Sequence, residues 1–456
     1  MQNRSACRRV GAVLIGVCAL LITGPLGHWA TQAWADEPSN AALKADIEVL
    51  KKRLAQLEAQ MATQDAMPPT AGEAPLTAGK TGLPTLQLPS GLEGLQLTGY
   101  VDTSYVFNFN RPDAGSRTNL GRVFDVNANG FTIQAAELVL EKPVTDSVPI
   151  GFRTDLFFGD DAEVIHATGL GNVATGDKPL PFDLQQAYIT LRAPVGAGLD
   201  FKVGKFVTLL GAEVIESPAN WNFSRSFLFG YAIPFTHTGV VASYPLGEWG
   251  STSFGLVNGW DLADESNSFK TMLGQLSLTP LKGVTLSSTL ITGAERASDN
   301  GNDRTVLDLV ATWQPLDKLI LMTNYDYGHE GSVSPLAGSP LTLTAGGGPG
   351  TDSANWQGWA FYAKYDLTPT WNLASRFEWF NDRNDVRIAL GGPDGAPVRD
   401  LGLFEWTLTS QWTLREHVLA RLEFRHDSAG ERVFAHTGSG FKTYQDTVAA
   451  EMIYHF

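Results

Sequence analysis

The sequence predicts an all-β fold: a transmembrane antiparallel β-barrel of about 16 strands, preceded by a short coiled-coil helix. Three observations predict it. An export signal opens the chain, yet no later stretch approaches the roughly 18 consecutive apolar residues that a spanning helix needs. From Leu95 onward, segments alternate apolar and polar residues with a period of two, and aromatic residues recur through them. The connections between those segments alternate between short turns and long polar loops, which puts every short one at the same end of a barrel. A propeller or a soluble sandwich has no reason to sort its loops this way.

Residues 1–35 are predicted to be a signal peptide. Arg4, Arg8 and Arg9 precede an apolar run from Val10 to about Leu26, and Ala33-Trp34-Ala35 offers a small-x-small cleavage site before Asp36. Gly24-Pro25 interrupts the run, which is too short to span a bilayer well. Cys7 and Cys18 both lie inside the signal peptide, and the residues before Cys18 do not form a lipid-attachment box. Cleavage after Ala35 leaves no cysteine, so no disulfide framework is expected in the exported chain. The formal charge of −15 becomes about −18 on cleavage, with 30 basic and 48 acidic residues remaining, which argues against nucleic acid as a partner.

Residues 36–64 hold the one clearly helical segment. Leu43, Ile47, Leu50, Leu54, Leu57 and Met61 are spaced alternately by four and three, a heptad seam, and Ser39 or Asn40 can cap its start. Two readings fit: a short periplasmic coiled coil that joins protomers, a trimer by analogy, or a lone amphipathic helix too short to be stable by itself. Residues 65–94 turn to Pro, Ala and Gly and read as a linker, extended where prolines are dense. Gly79-Lys80-Thr81 within it resembles the end of a phosphate-binding loop, but Ala74 stands where the leading glycine belongs, so that site is rejected.

Residues 95–456 form the barrel domain. The expected strands are 95–109, 129–142, 148–160, 182–193, 199–209, 236–245, 250–260, 268–279, 284–293, 304–314, 318–328, 357–367, 371–381, 401–413, 418–427 and 444–456. In the thirteenth, Trp371, Leu373, Phe377 and Trp379 share one face while Asn372, Arg376 and Glu378 share the other. Trp371 and Trp379 stand roughly 26 Å apart along a strand, or roughly 20 Å of height at a tilt of about 40°, near the spacing of two aromatic girdles. Val418, Ala420, Leu422 and Phe424 likewise oppose Arg421, Glu423 and Arg425. The last strand puts Phe456, Tyr454 and Met452 on one face, with Ala450 and Val448. Its aromatic end resembles the terminal signal strand of Gram-negative outer-membrane barrels, read by the barrel-assembly machinery.

The loop after the fifth strand is unusually aromatic: Trp221, Phe223, Phe227, Phe229, Tyr231 and Phe235 are side chains suited to packing against a wall. Around it stand Gly204-Lys205-Phe206, the entry Gly211-Ala212-Glu213, and the return Pro234-Phe235-Thr236-His237-Thr238-Gly239. With these residues the barrel region resembles the OmpL-like putative beta-barrel porin family. The resemblance implies that this loop folds into the lumen and forms a constriction, with Glu213 and Glu216 as its acids and Arg225 as a base. Candidate lumen-wall charges, by strand parity, are Arg153, Asp155, Arg376, Glu378, Arg421, Glu423 and Arg425. For each of these residues the other reading is an internal salt bridge that stiffens the barrel or the loop.

Signatures of enzyme chemistry are absent from the sequence: no metalloprotease helix motif, no nucleophile elbow, no dinucleotide fingerprint. Asp299-Asn300-Gly301-Asn302-Asp303 and Asp382-Arg383-Asn384-Asp385 lack the spacing of a calcium loop and read as solvated tips. No enzyme activity, cofactor or metal is therefore expected. The expected protein is an outer-membrane porin of a Gram-negative bacterium: a water-filled channel, homotrimeric, for passive diffusion of small hydrophilic solutes or ions, surrounded by outer-membrane lipid. The competing expectation is a tether, in which the coiled coil links the outer membrane to the cell wall and the barrel is the anchor.

Overall fold

The computed structural model describes residues 94–456 apart from 114–116, 146, 171–180, 297–299, 335–347, 350–351, 385, 389, 391–397, 399 and 439. The signal peptide, the heptad seam and the linker up to residue 93 lie outside the described residues.

Sixteen long strands make one sheet: β1 Gln96–Asn108, β2 Gly130–Lys142, β3 Ile150–Phe158, β4 Phe182–Ala193, β5 Leu199–Val207, β6 Thr236–Pro245, β7 Gly250–Val257, β8 Thr271–Leu281, β9 Val284–Ala294, β10 Asp303–Leu316, β11 Leu319–Ser334, β12 Asp352–Thr368, β13 Trp371–Asp382, β14 Leu401–Arg415, β15 Val418–Ala429 and β16 Tyr444–His455. Each pairs antiparallel with its neighbours in sequence, and β1 pairs with β16 from Tyr100↔His455 to Asn108↔Thr447. Gly99 and Phe456 extend that seam by exchanging two backbone hydrogen bonds of 3.1 and 3.0 Å. No edge strand is left, which is how a sheet satisfies its backbone where water is absent. Turns such as 282–283, 317–318, 369–370 and 416–417 sit at one end and the long loops at the other.

Period-two alternation decides what each face meets. Phe131, Ile133, Ile150 and Phe254 are outward and exposed, as are Met452, Tyr454 and Phe456 on the last strand. Inward neighbours of the last set, Ile453 and Ala449, are buried. The barrel thus presents an extensive apolar exterior, the pattern expected of strands that face hydrocarbon.

Several element boundaries differ from the sequence expectation, those of the third, eleventh and twelfth strands among them. The third strand ends at Phe158, because Asp160–Ile165 form a short helix (α1) with Asp160, Asp161 and Glu163 in its first turn. Acidic side chains there complement the free N–H groups of a helix start. The eleventh and twelfth strands run further toward the loop end than their apolar periods indicate, pairing as far as Val333↔Asp352. Their polar tips carry no period to read; the backbone pairing alone extends them.

The hydrophobic core lies inside the loop half of the barrel. Phe227, Leu228, Phe229, Tyr231 and Phe235 from the loop 208–235 pack with Phe124, Trp260, Trp356, Phe380 and Phe434.

Candidate functional site

The loop 208–235 leaves β5, enters the barrel and returns to β6. His237, in the return motif, fastens its hinge: one ring nitrogen lies 3.0 Å from Thr208 Oγ1 and the other 2.9 Å from the Gly259 carbonyl. Lys205 of the entry motif pairs with Asp183 at 2.7 Å. Gly239 sits where a Cβ would overlap the Leu256 carbonyl, so close strand contact beside His237 requires glycine.

From that hinge the loop crosses the lumen. The Leu209 carbonyl accepts from Gln275 Nε2 on β8 at 2.7 Å, and the Ala212 N–H donates to Asn324 Oδ1 on β11 at 3.4 Å. Glu213 meets Arg376 Nη1 on β13 at 2.6 Å. Glu216 then reaches the far side, accepting from Gln185 Nε2 on β4 at 2.6 Å. The Ser217 carbonyl accepts from Arg421 of β15 at 3.1 Å. Residues 209–217 thus bridge walls on opposite sides of the barrel.

The returning half lies against β12–β15 and is held by carboxylates that each accept two adjacent backbone N–H groups. Glu423 takes Phe223 and Ser224 at 2.7 and 3.0 Å. Glu378 takes Phe227 and Leu228 at 2.7 and 2.6 Å. Asp261, in the loop after β7, takes Phe235 and Thr236 at 2.7 and 2.8 Å. Arginines satisfy the carbonyls: Arg376 donates to Ser224 at 2.7 Å, Arg425 to Arg225 at 2.6 Å, and Arg387 to Tyr231 at 2.7 Å. Irregular backbone is stable in a dry site only when its polar groups are paired in this way.

Behind the loop the wall charges form one alternating chain. Arg376 binds Glu405 at 2.5 Å, and Glu405 lies 3.2 Å from Arg425. Arg425 binds Asp427 at 2.7 Å; Asp427 receives Arg122 of the first loop at 2.6 Å, and Arg122 also pairs with Asp125. Arg421 pairs with Glu451 at 3.0 Å. Each charge has opposite-sign neighbours, which offsets the desolvation cost of burial.

A second cluster fastens the loop exit. Trp260 lies edge-on to Trp356 at 6.4 Å, with Arg387 4.6 Å and Arg304 4.9 Å from its ring. Glu295, just past β9, accepts from the Trp260 N–H at 2.6 Å and from Thr271 Oγ1 at 2.7 Å. Burial pushes Glu295 up to about 7 and Asp261 up to about 6, even though backbone donors oppose the shift. Burial also lowers Arg387 to about 10, with Arg304 adding to the effect.

The expected wall residues Arg153, Asp155, Arg376, Glu378, Arg421, Glu423 and Arg425 all sit on inward-facing positions. The structure separates them into two groups: five surround the returning loop on β13–β15, while Arg153 and Asp155 stand on β3, where Asp155 lies beside Glu216. Of the loop residues, Glu213 and Arg225 are 5% and 4% exposed. Arg225 turns back on its own loop, donating to the carbonyls of Val214, Phe223 and Ile215, and lies over the Phe124 ring. Glu213 touches Arg376 directly instead of facing an arginine across open water, because a buried carboxylate needs its partner in contact. Glu216 keeps partial exposure.

Sequence parity could also have named Glu405 and Asp427, which alternate with outward Trp406 and Phe424-type positions. Arg122, Asp261, Glu295 and Arg387 stand in loops, where no period exists to read.

The family model described as putative beta-barrel porin-2, OmpL-like, matches residues 94–456. Among solved structures, the outer membrane channel DcaP of Acinetobacter baumannii aligns over 79% of this chain and 97% of its own at 12% identity, with a TM-score of 0.53. The anion-selective porin from Comamonas acidovorans aligns over 79% and 99% at 11% identity, with a TM-score of 0.51. Salmonella typhi OmpF in complex with daunomycin aligns over 79% and 97% at 11% identity, with a TM-score of 0.50. Likeness at such identities shows the fold. No curated protein matches the chain.

Proposed function

Since this chain belongs to the family of OmpL-like putative beta-barrel porins, we propose that it is an outer-membrane channel for passive diffusion of small hydrophilic solutes or ions, its passage set by the loop 208–235. The observation that carries the reading is a closed sixteen-stranded wall, apolar outside and charged inside, with that loop fastened across the interior. Sixteen strands enclose more space than their own side chains fill. The loop fills part of it, and its rim decides what passes.

In this reading the buried pairs Glu213–Arg376 and Arg225 with its carbonyls hold the loop in position, while Glu216 and Arg153 keep surface toward the lumen. Selectivity then depends on the less buried charges nearer the turn end, Glu141, Arg153, Lys202 and Lys364 among them. The reading further includes outer-membrane lipid around the apolar belt, assembly machinery acting on the strand that ends in Met452, Tyr454 and Phe456, a homotrimer, and a periplasmic helix at residues 36–64.

Single-channel recording of the purified mature protein under a salt gradient tests the channel. Discrete steps are expected, larger in Arg376→Met, which frees the loop at Glu213 and Ser224; steps grouped in threes support the trimer. The reversal potential gives the sign of the preferred ion. Silence from folded, heat-modifiable protein, in wild type and Arg376→Met alike, overturns the channel.

A further inference from the structure

Where the loop reaches the far wall, Glu216 meets Glu137 of β2 and Asp155 of β3. One carboxylate oxygen from each lies within 4.8 Å of the other two. Two oxygens sharing one calcium ion at about 2.4 Å can stand no further than about 4.8 Å apart, and each pair among the three lies within that bound. Acids converge for other reasons too, and three of them alone identify no ligand.

The groups around them are more specific. Tyr100, cross-strand to Glu137 and 4% exposed, has a hydroxyl without a hydrogen-bond partner, within electrostatic reach of Glu137 and Glu216. Gln185 is fully buried; its Nε2 donates to Glu216, and its own amide oxygen has no partner. Glu137 Oε1 is buried and unpartnered as well. Buried polar atoms are nearly always paired, so two orphaned oxygens beside the three acids, and a third on Glu137 itself, point to a missing positive centre. Among the described residues, the cation bonded to the cluster is Arg153, which binds both oxygens of Asp155 and also reaches Glu141, so three acids share one charge partner. Arg153 and Glu141, beside the cluster, keep side-chain exposure of 25% and 32%.

We propose that Glu137, Asp155 and Glu216, completed by oxygens of Tyr100 and Gln185, bind one calcium-class divalent cation that ties the inward loop to the wall formed by β2–β4. Hard cations of this class take six to eight oxygen ligands, water filling the remaining positions. The ion replaces a repulsion between loop and wall with a shared bond where Glu216 reaches β2–β4.

Terbium, a luminescent stand-in for calcium, reads the site in detergent-solubilised full barrel stripped with chelator. The expected result is saturable luminescence excited through nearby aromatic rings, competed away by calcium, with at least a tenfold loss of affinity in Glu216→Gln and in Glu137→Gln. Calcium retained on equilibrium dialysis should fall from about one per chain to none in both variants. Absence of saturable terbium binding by the wild type, or equal binding in the variants, overturns the site, and if either variant fails to show the heat-modifiable folded band, the wild-type dialysis decides alone. None of these readouts uses conductance, so the cation site and the channel can fail separately.

Discussion

Glu378 and Glu405 stand directly opposite each other on β13 and β14, a like-charge pair that is ordinarily unfavourable. Neither is left unmatched: two loop N–H groups take Glu378, while Arg376 and Arg425 flank Glu405. Arg376→Met should therefore lower stability by about 3–5 kcal/mol, because it leaves buried acids unpaired. The midpoint of denaturant unfolding in micelles measures it, and adding Glu213→Gln should recover part of the loss through coupling between touching residues. Asp261 and Glu295 give a pH dependence of definite sign. Each has a folded pKa raised, to about 6 and about 7, so its stability contribution is full below the ordinary carboxylate range and is lost as pH rises through those values. The melting temperature should fall between pH 5 and 8, and Glu295→Gln should flatten the slope; a melting temperature that rises over this range would count against the assignment.

Strands were the most legible elements, since a period of two survives any detail of packing. Arg421, Glu423 and Arg425 alternate with Ala420, Leu422 and Phe424, and the inward set is buried as that alternation requires. Loop partners were not legible in the same way. The run of aromatics from Trp221 to Phe235 announces packing against something, but not that Glu378 and Glu423 would each cup two loop amides, since those amides belong to no residue type. The pairing of Trp356 with Gly328 was equally hidden. A Cβ on Gly328 would fall within the Trp356 indole, so β11 offers this ring a seat that only glycine leaves open. Gly328→Val should expel Trp356 from Trp260 and Arg387, costing about 2–4 kcal/mol by overpacking and lost burial. A red-shifted tryptophan emission with the barrel still heat-modifiable is the expected signature; unchanged emission and unchanged melting would refute the seat.

At the scale of the molecule, closure depends on the first and last strands alone. Phe456 exchanges backbone bonds with Gly99, and a Cβ at Gly99 would collide with the Glu137 carbonyl of the neighbouring strand. Phe456→Ala should leave those backbone bonds possible yet remove about 1.5–3 kcal/mol of apolar burial in lipid. A reduced heat-modifiable fraction at equal expression measures the effect, and wild-type yield would show that the ring contributes nothing to closure.

The anchors of the inward loop also impose an order in time. Glu378 and Glu423 follow the loop residues they hold by 151 and 200 positions, and Arg421 follows Ser217 by 204. A chain that emerges from its N-terminus delivers the loop well before any of these partners. Through that interval its aromatic side chains have nothing native to rest on, and the first half-barrel cannot lock its own interior. The maturing protein therefore carries a built-in waiting period, in which the loop stays uncovered until the final third of the chain arrives.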